Sequence, residues 1–393
     1  MPAITASPAL SHLRILDLTR VRSGPTCVKQ FADFGADVVK IEATVVEDFG
    51  APRESPDFQN LHRNKRSLTL DLKKPEGREI FMRLVKTADI VVENFRPDVK
   101  SRLGIDYESL RKVNKRIILA SISGFGQDGP YRERPGLDQI AQGMSGIMSV
   151  TGMPGGGPVR AGAAICDVTA GLLAALGIMT ALLERERSGE GQWVQSSLLQ
   201  AGLQLLDFQA ARYTMRGEVP EQVGNDHPTN VPSSAFTTAD GYVSVAATGD
   251  SFWKRFCDEI GRPDLSTSPD YADNPHRVKN RKALNAAINE AMKTKTTAEW
   301  VRILEHAEIP CGPINKMDQV FADEQFRHLR VTGDVQHPRL GKLTILSQMA
   351  TLTRTPAALV AAAPERGAHT DEVLHEAGYA DVEIAKLHEQ KVV

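Results

Sequence analysis

Arg14-Ile15-Leu16-Asp17-Leu18 reads as a short strand, Gly24-Pro25 as a turn opening a helix from Thr26 to Phe34, and Ala36-Asp37-Val38-Val39-Lys40-Ile41-Glu42 as a second strand. The alternation continues outward from there. Lys65 to Leu72 is a third strand, Glu76 to Thr87 an amphipathic helix, Asp89 to Asn94 a fourth strand, Tyr107 to Val113 a helix and Arg116 to Ser123 a fifth strand. Strands alternating with helices predict an α/β fold with a parallel sheet covered on both faces. In such sheets the ligand lies beyond the carboxyl ends of the strands. Those ends carry Asp17-Leu18-Thr19-Arg20-Val21-Arg22-Ser23, Glu93-Asn94-Phe95 and Gly124-Phe125-Gly126.

From about Arg187 the texture changes. Trp193 to Ser197 reads as a strand and Ser197 to Met215 as one long helix. Ser234 to Thr238, the turn Ala239-Asp240-Gly241 and Tyr242 to Ala246 then suggest a hairpin, with helices at Ser251 to Ile260 and Thr297 to Ala307 and a closing helix near His369 to Ala377. The expected organisation is a Rossmann-like parallel-sheet large domain over residues 1–200, completed by 330–393. A linker helix covers 201–224, a smaller α+β domain 225–325, and a return linker and C-terminal part 326–393.

Composition narrows the function classes. With 393 residues, 41% hydrophobic and 24% charged, the chain can bury a large core, and a net charge of −2 gives no global case for nucleic acid or an anionic membrane. The four cysteines, Cys27, Cys166, Cys257 and Cys311, lack metal-ligand spacing and read as reduced, buried thiols; no metal is expected. The N-terminal Met1-Pro2-Ala3-Ile4-Thr5 has neither a basic nor an apolar leader region, so a cytoplasmic location is expected. The apolar run from Val168 to Leu183 is shorter than a bilayer span of about 20 residues and reads as a buried core helix. Neither Gly-x-x-x-x-Gly-Lys-Ser/Thr nor a Gly-x-Gly-x-x-Gly after the first strand is present, which argues against a dehydrogenase.

Asp167 is a lone carboxylate between Ala161-Gly162-Ala163-Ala164 and that uncharged helix. At a helix N-terminus it either caps backbone amides or is held, charged and partly desolvated, as a nucleophile.

The order of several motifs resembles the class III CoA-transferases, which include formyl-CoA and carnitine CoA transferases and the related 2-methylacyl-CoA racemases. The motifs are Leu16 to Pro25, Phe34-Gly35-Ala36-Asp37, Asn64-Lys65-Arg66-Ser67, Glu93-Asn94-Phe95-Arg96-Pro97, Ser123-Gly124-Phe125-Gly126, Gly189-Glu190-Gly191-Gln192, Pro310-Cys311-Gly312-Pro313 and Gly367-Ala368-His369-Thr370. The resemblance implies that Asp167 is the catalytic nucleophile and that coenzyme A and acyl-CoA are substrates, with no permanently bound cofactor. It implies that Val21, Arg22 and Ser23 line the thioester end, that Leu70, Asn94 and Phe95 hold the adenine and ribose side, and that Arg102 pairs with a phosphate. Two positions depart from the formyl-CoA transferase pattern: Ala43 stands where that enzyme has an arginine, and Pro135 where it has a lysine, with Arg134 adjacent as a substitute.

Gly136-Leu137-Asp138-Gln139 lacks the histidine of the racemase branch, which favours transfer and makes Asp138 structural. His227 is either an active-site wall or a loop-organising residue, and Trp253 reads as core. Arg22 replaces a glutamine of formyl-CoA transferase and would clamp the distal carboxylate of a dicarboxylate, so a succinyl-CoA-dependent transferase for a C4–C6 diacid is expected. Formyl-CoA/oxalate transfer, racemisation, thioester hydrolysis and acyl-CoA binding by a non-enzymatic regulator are the alternatives. The family implies an interlocked homodimer, in which each chain threads a ring formed by the other.

Overall fold

The structure, a computed structural model, describes residues 4–45 and 51–393. These form two compact units. The first contains the described residues up to Ile147 together with Arg160–Thr214 and Leu329–Val393; the second contains Met148–Val159 and Met215–His328. The segment Met148–Val159 therefore clusters with the second unit, although it lies inside the stretch expected to form the large domain.

The first unit is built on β1 (Arg14–Asp17), α1 (Ser23–Asp33), β2 (Asp37–Glu42), α2 (Pro56–His62), β3 (Arg66–Thr69), α3 (Pro75–Val85), β4 (Ile90–Glu93), α4 (Pro97–Leu103), α5 (Tyr107–Val113), β5 (Ile118–Ser123) and α6 (Asp138–Met144). A single turn, α7 (Ile147–Val150), precedes α8 (Ile165–Ser188), β6 (Trp193–Ser197), α9 (Leu198–Leu206) and α10 (Phe208–Arg216). The six strands form one sheet in the order β3-β2-β1-β4-β5-β6, and every pairing is parallel. Leu16 of β1 faces Val39 of β2 on one side and Val91 of β4 on the other. The chain thus reverses its direction of growth between β1 and β4, the place where a doubly wound sheet opens a crevice.

Alternate side chains serve opposite faces, as the strand repeat of two requires. Ile15, Val38, Ile90, Val92, Ala120 and Ile122 pack with Val28 and Phe31 of α1 and with Ala170, Ala174 and Ile178 of α8. Leu16, Val39, Ile41, Leu68, Val91 and Leu119 pack with Ile80, Phe81 and Leu84 of α3, Leu110 of α5, and Leu374 and Leu387 from the C-terminal helices. Burial on both faces is why these strands are apolar runs rather than alternating ones.

Three expectations need correction. α8 is not wholly buried: Cys166, Ala170, Gly171, Ala174, Ala175, Ile178 and Ala181 face inward, while Val168, Leu172, Leu176, Met179 and Leu183 are exposed along the opposite face. A helix with no polar face gives no periodic signal of which side is inside, and here the small residues take the packed side. At 24 residues it is also long and apolar enough, by length and composition, to cross a membrane. The long helix expected from Ser197 to Met215 is broken at Asp207, which adopts φ 38° between α9 and α10. Finally, α2 and α4, seven residues each, lie outside the helices expected from the sequence, and each starts at a proline.

The second unit contains a three-stranded antiparallel sheet of β7 (Ser233–Thr237), β8 (Tyr242–Ala246) and β9 (Cys311–Pro313). Trp253 lies in its core with Phe236, Val243, Phe256, Leu284 and Trp300. His227 organises a loop there, its Nδ1 accepting from the amides of Thr229 and Asn230 at 3.2 and 3.1 Å.

Candidate active site

β1 ends at Asp17, whose side chain is completely buried. Its Oδ1 accepts from the amide and hydroxyl of Thr19 at 2.9 and 2.5 Å, and its Oδ2 from Lys65 Nζ at 2.8 Å. Lys40 Nζ donates to the Thr19 carbonyl at 3.0 Å. Burial alone would raise the Asp17 carboxyl, but the ammonium groups of Lys65 and Lys40 outweigh it and hold the group below its ordinary range. This cluster fixes the chain as it leaves the strand.

Across the switch point, Asn94 clamps the next residue. Its Oδ1 accepts from the Arg20 amide at 2.8 Å, and its Nδ2 donates to the Arg20 carbonyl at 2.7 Å. The Arg20 guanidinium also sits 5.3 Å from the Phe95 ring centroid. Held on both sides, Val21 occupies φ 60°, a left-handed conformation that a β-branched residue adopts only when its surroundings impose it. The turn therefore presents Val21 outward, starts α1 at buried Ser23, and carries Arg22 to a contact with Asp57 of α2.

α8 meets this turn through Gly171. A Cβ at that position would lie 2.4 Å from the Ser23 carbonyl oxygen and 3.0 Å from Thr26 Cβ, so only glycine permits the approach. Asp167 lies one helical turn earlier, in the first turn of α8. It does not cap its own helix; Asp138 of α6 does, accepting from the amides of Cys166 at 2.9 Å and Asp167 at 3.2 Å. Gln142 completes the support, donating to Asp138 at 2.6 Å and to the Ala163 carbonyl at 3.1 Å, and accepting from the Ala161 amide at 2.9 Å. With the amides served from α6, the Asp167 carboxylate is released from the capping role. It is half-buried, and burial pushes its carboxyl up to about 6, the negative Asp138 adding to the rise and Arg22 opposing it.

The structure thus brings together Val21, Arg22, Ser23, Asn94 and Phe95, and joins Asp167 to them through the α1–α8 contact. The remaining predicted residues are placed as follows. Leu70 is 2% exposed and packs in the core, so its side chain cannot meet a ligand. Arg102 is exposed on α4, paired with Asp98 at 3.2 Å, beside a cavity of about 330 Å³ lined also by Arg78 and Ser101. Arg134 is exposed in the segment between β5 and α6, its guanidinium 3.8 Å from the Tyr131 ring centroid. At position 43, the carbonyl of Ala43 accepts from the guanidinium of Arg366.

A parallel, doubly wound sheet with a carboxylate of raised basicity near its switch point is the arrangement of α/β proteins that take a ligand at the carboxyl ends of their strands. Residues 10–370 match the family described as CoA-transferase family III, and the chain belongs to that family. It is 38% identical over 388 residues to the succinate–glutarate CoA-transferase of Agrobacterium fabrum, covering 94% of this chain and 96% of that one. It is 36% identical to the formyl-CoA:oxalate CoA-transferase of Rhodopseudomonas palustris, covering 97% and 96% of the two chains. Among solved structures, Rv3272 of Mycobacterium tuberculosis superposes with a TM-score of 0.85 at 30% identity, covering 94% of this chain and 99% of that one.

Proposed function

We propose that this CoA-transferase moves CoA from succinyl-CoA to a C4–C6 dicarboxylate, with Asp167 as nucleophile. The observation that carries the reading is the Asp167 carboxylate itself, freed from capping by Asp138 and set by Gly171 against the turn that holds Arg22. The Asp167 carboxylate attacks the thioester carbonyl; the C–S bond breaks, CoA thiolate leaves and a mixed anhydride forms. The thiolate attacks the aspartyl carbonyl, releasing succinate and leaving an aspartyl-CoA thioester. The acceptor carboxylate attacks that thioester, expelling the thiolate again and forming a second anhydride. The thiolate then attacks the acceptor acyl carbon, giving the new acyl-CoA and restoring Asp167. No net proton or hydride moves, and the thioester energy is conserved.

Arg22 favours a diacid because a guanidinium binds a second carboxylate at a fixed distance from the first. The names of the relatives, which pair CoA donors with glutarate and oxalate, support the same class of acceptor. We further propose that the active form is an interlocked homodimer: Val168, Leu172, Leu176, Met179 and Leu183 form an exposed apolar stripe on α8, Leu203 and Phe208 are exposed as well, and a second copy would cover them. The deciding experiment is intact-mass spectrometry after incubation with succinyl-CoA. A CoA adduct on the Asp167 peptide that glutarate discharges is expected. Its absence in a protein that still binds CoA would turn the reading toward racemisation or simple binding. Sedimentation at micromolar protein tests the dimer, and a monomer would reject it.

A further inference from the structure

Arg22 meets Asp57 in an unusual way for a residue expected to grip a ligand. Both carboxylate oxygens of Asp57 contact the same nitrogen, Nη2, at 2.8 Å for Oδ1 and 2.9 Å for Oδ2, while Nε and Nη1 have no partner among the described residues. A planar guanidinium offers two edges for bidentate binding, Nε with Nη2 and Nη1 with Nη2, and Nη2 belongs to both. Asp57 therefore engages the nitrogen that serves both edges, and its negative charge offsets the guanidinium that a second carboxylate would meet. It is placed there by α2, whose N-cap Ser55 accepts from the Phe58 amide at 3.2 Å and whose first turn holds Asp57.

We infer that Asp57 is a specificity-determining residue: its carboxylate occupies Arg22 in the free enzyme, and the second carboxylate of an incoming dicarboxylate exchanges with it. The inference rests on the reading of Arg22 as the diacid clamp. The magnitudes permit the exchange. The Arg22 and Asp57 side chains are 33% and 36% exposed, and such a pair is worth up to about fivefold in an equilibrium. A desolvated, bidentate carboxylate–guanidinium contact is stronger than that, so the ligand wins. A monocarboxylate has nothing to exchange, and for it Arg22 and Asp57 remain a closed, neutral pair. Asp57 thus raises the KM of a diacid more than that of a monoacid and tempers the preference that Arg22 provides.

The test is acceptor kinetics with succinyl-CoA as donor, comparing glutarate with valerate, its length-matched monoacid, in the full-length wild type, Asp57→Asn, Arg22→Gln and the double variant. Removing the competing charge should lower the glutarate KM about threefold to fivefold, with a smaller change for valerate. In the Arg22→Gln background the same substitution should have no effect on glutarate, which a merely structural role for Asp57 would not produce. A glutarate KM that is unchanged or raised by Asp57→Asn, in an enzyme whose diacid preference depends on Arg22, overturns the inference alone. A wild type with no diacid preference overturns the clamp and this inference with it. A wild type that transfers CoA to no carboxylate overturns the function as well.

Discussion

Asp17 and Asp167 lie on the two sides of the α1–α8 contact, and their electrostatics run opposite to their burial. Asp17 ends the strand that leads into α1 and has no exposed surface, yet it is held below the ordinary carboxylate range because two ammonium groups face it. Asp167 is only half-buried, yet it is pushed up to about 6, because its burial is reinforced by the negative Asp138 and opposed only by Arg22, which is paired with Asp57. The difference separates a carboxylate that holds the backbone from one whose raised basicity suits the nucleophilic role proposed for it. Substitution should separate them in the same way. Asp167→Ala should lower turnover by about 10⁴-fold and abolish the CoA adduct while leaving the folded state intact, since it removes the proposed nucleophile while the hydrogen bond from its backbone amide to Asp138 stays. Intact-mass and steady-state assays check this, and residual turnover above about a hundredth of wild type would remove Asp167 from the reaction.

The opposite pattern is expected on the other side. Lys65→Met leaves Asp17 buried without its closest counter-charge and should cost about 3–5 kcal/mol of stability, measured by chemical denaturation. If the loss is under about 1 kcal/mol, the Asp17 cluster is not what fixes the β1–α1 turn.

The strands were legible because a parallel sheet buried on both faces leaves apolar runs at regular intervals; Asp167 stood out as the one charge at the mouth of an uncharged helix, and its proposed role came from the resemblance. The cluster behind the turn was not legible. Arg63, Asn64, Lys65 and Arg66 form a polar and basic run whose burial no local pattern announces. Arg63 and Asn64 reach Asp33, Lys65 reaches Asp17, and Arg66 reaches Asp37 and Glu376. Each partner lies far along the chain, and nothing in local spacing pairs them. Leu70, which the resemblance puts on the adenine side, has its side chain committed to the core, and only packing shows that. Asp57 belongs to a helix too short to leave a periodic signal.

The Asp167 environment has a cost that pH should reveal. Because its folded pKa, about 6, lies above that of an unfolded aspartate, the folded state holds the proton more tightly. Its contribution to stability is greatest below the ordinary carboxylate range and is lost as pH rises through about 6. Asp167→Asn should therefore be more stable than wild type by about 2 kcal/mol at pH 7, a figure discounted for partial exposure, and equal to it near pH 4. Denaturation midpoints at the two pH values check the sign. In wild type, kcat/KM should rise with pH through about 6 as the attacking anion appears.

The smallest effect tests whether the two aspartates differ by design of the whole turn or by Asp167 alone. Arg22 is the cation that opposes the rise at Asp167 and the group proposed to hold the diacid. Arg22→Gln removes both, so the glutarate KM should rise about tenfold, the value of one charge-assisted hydrogen bond, while the valerate KM stays nearly constant. The acid limb of kcat/KM should move above about 6 in the same variant, because burial and Asp138 then act on Asp167 unopposed. A KM effect without a pH shift would make Arg22 a substrate clamp only. A pH shift without a KM effect would make it an electrostatic partner of the nucleophile, and the preference for diacids would have to come from another cation.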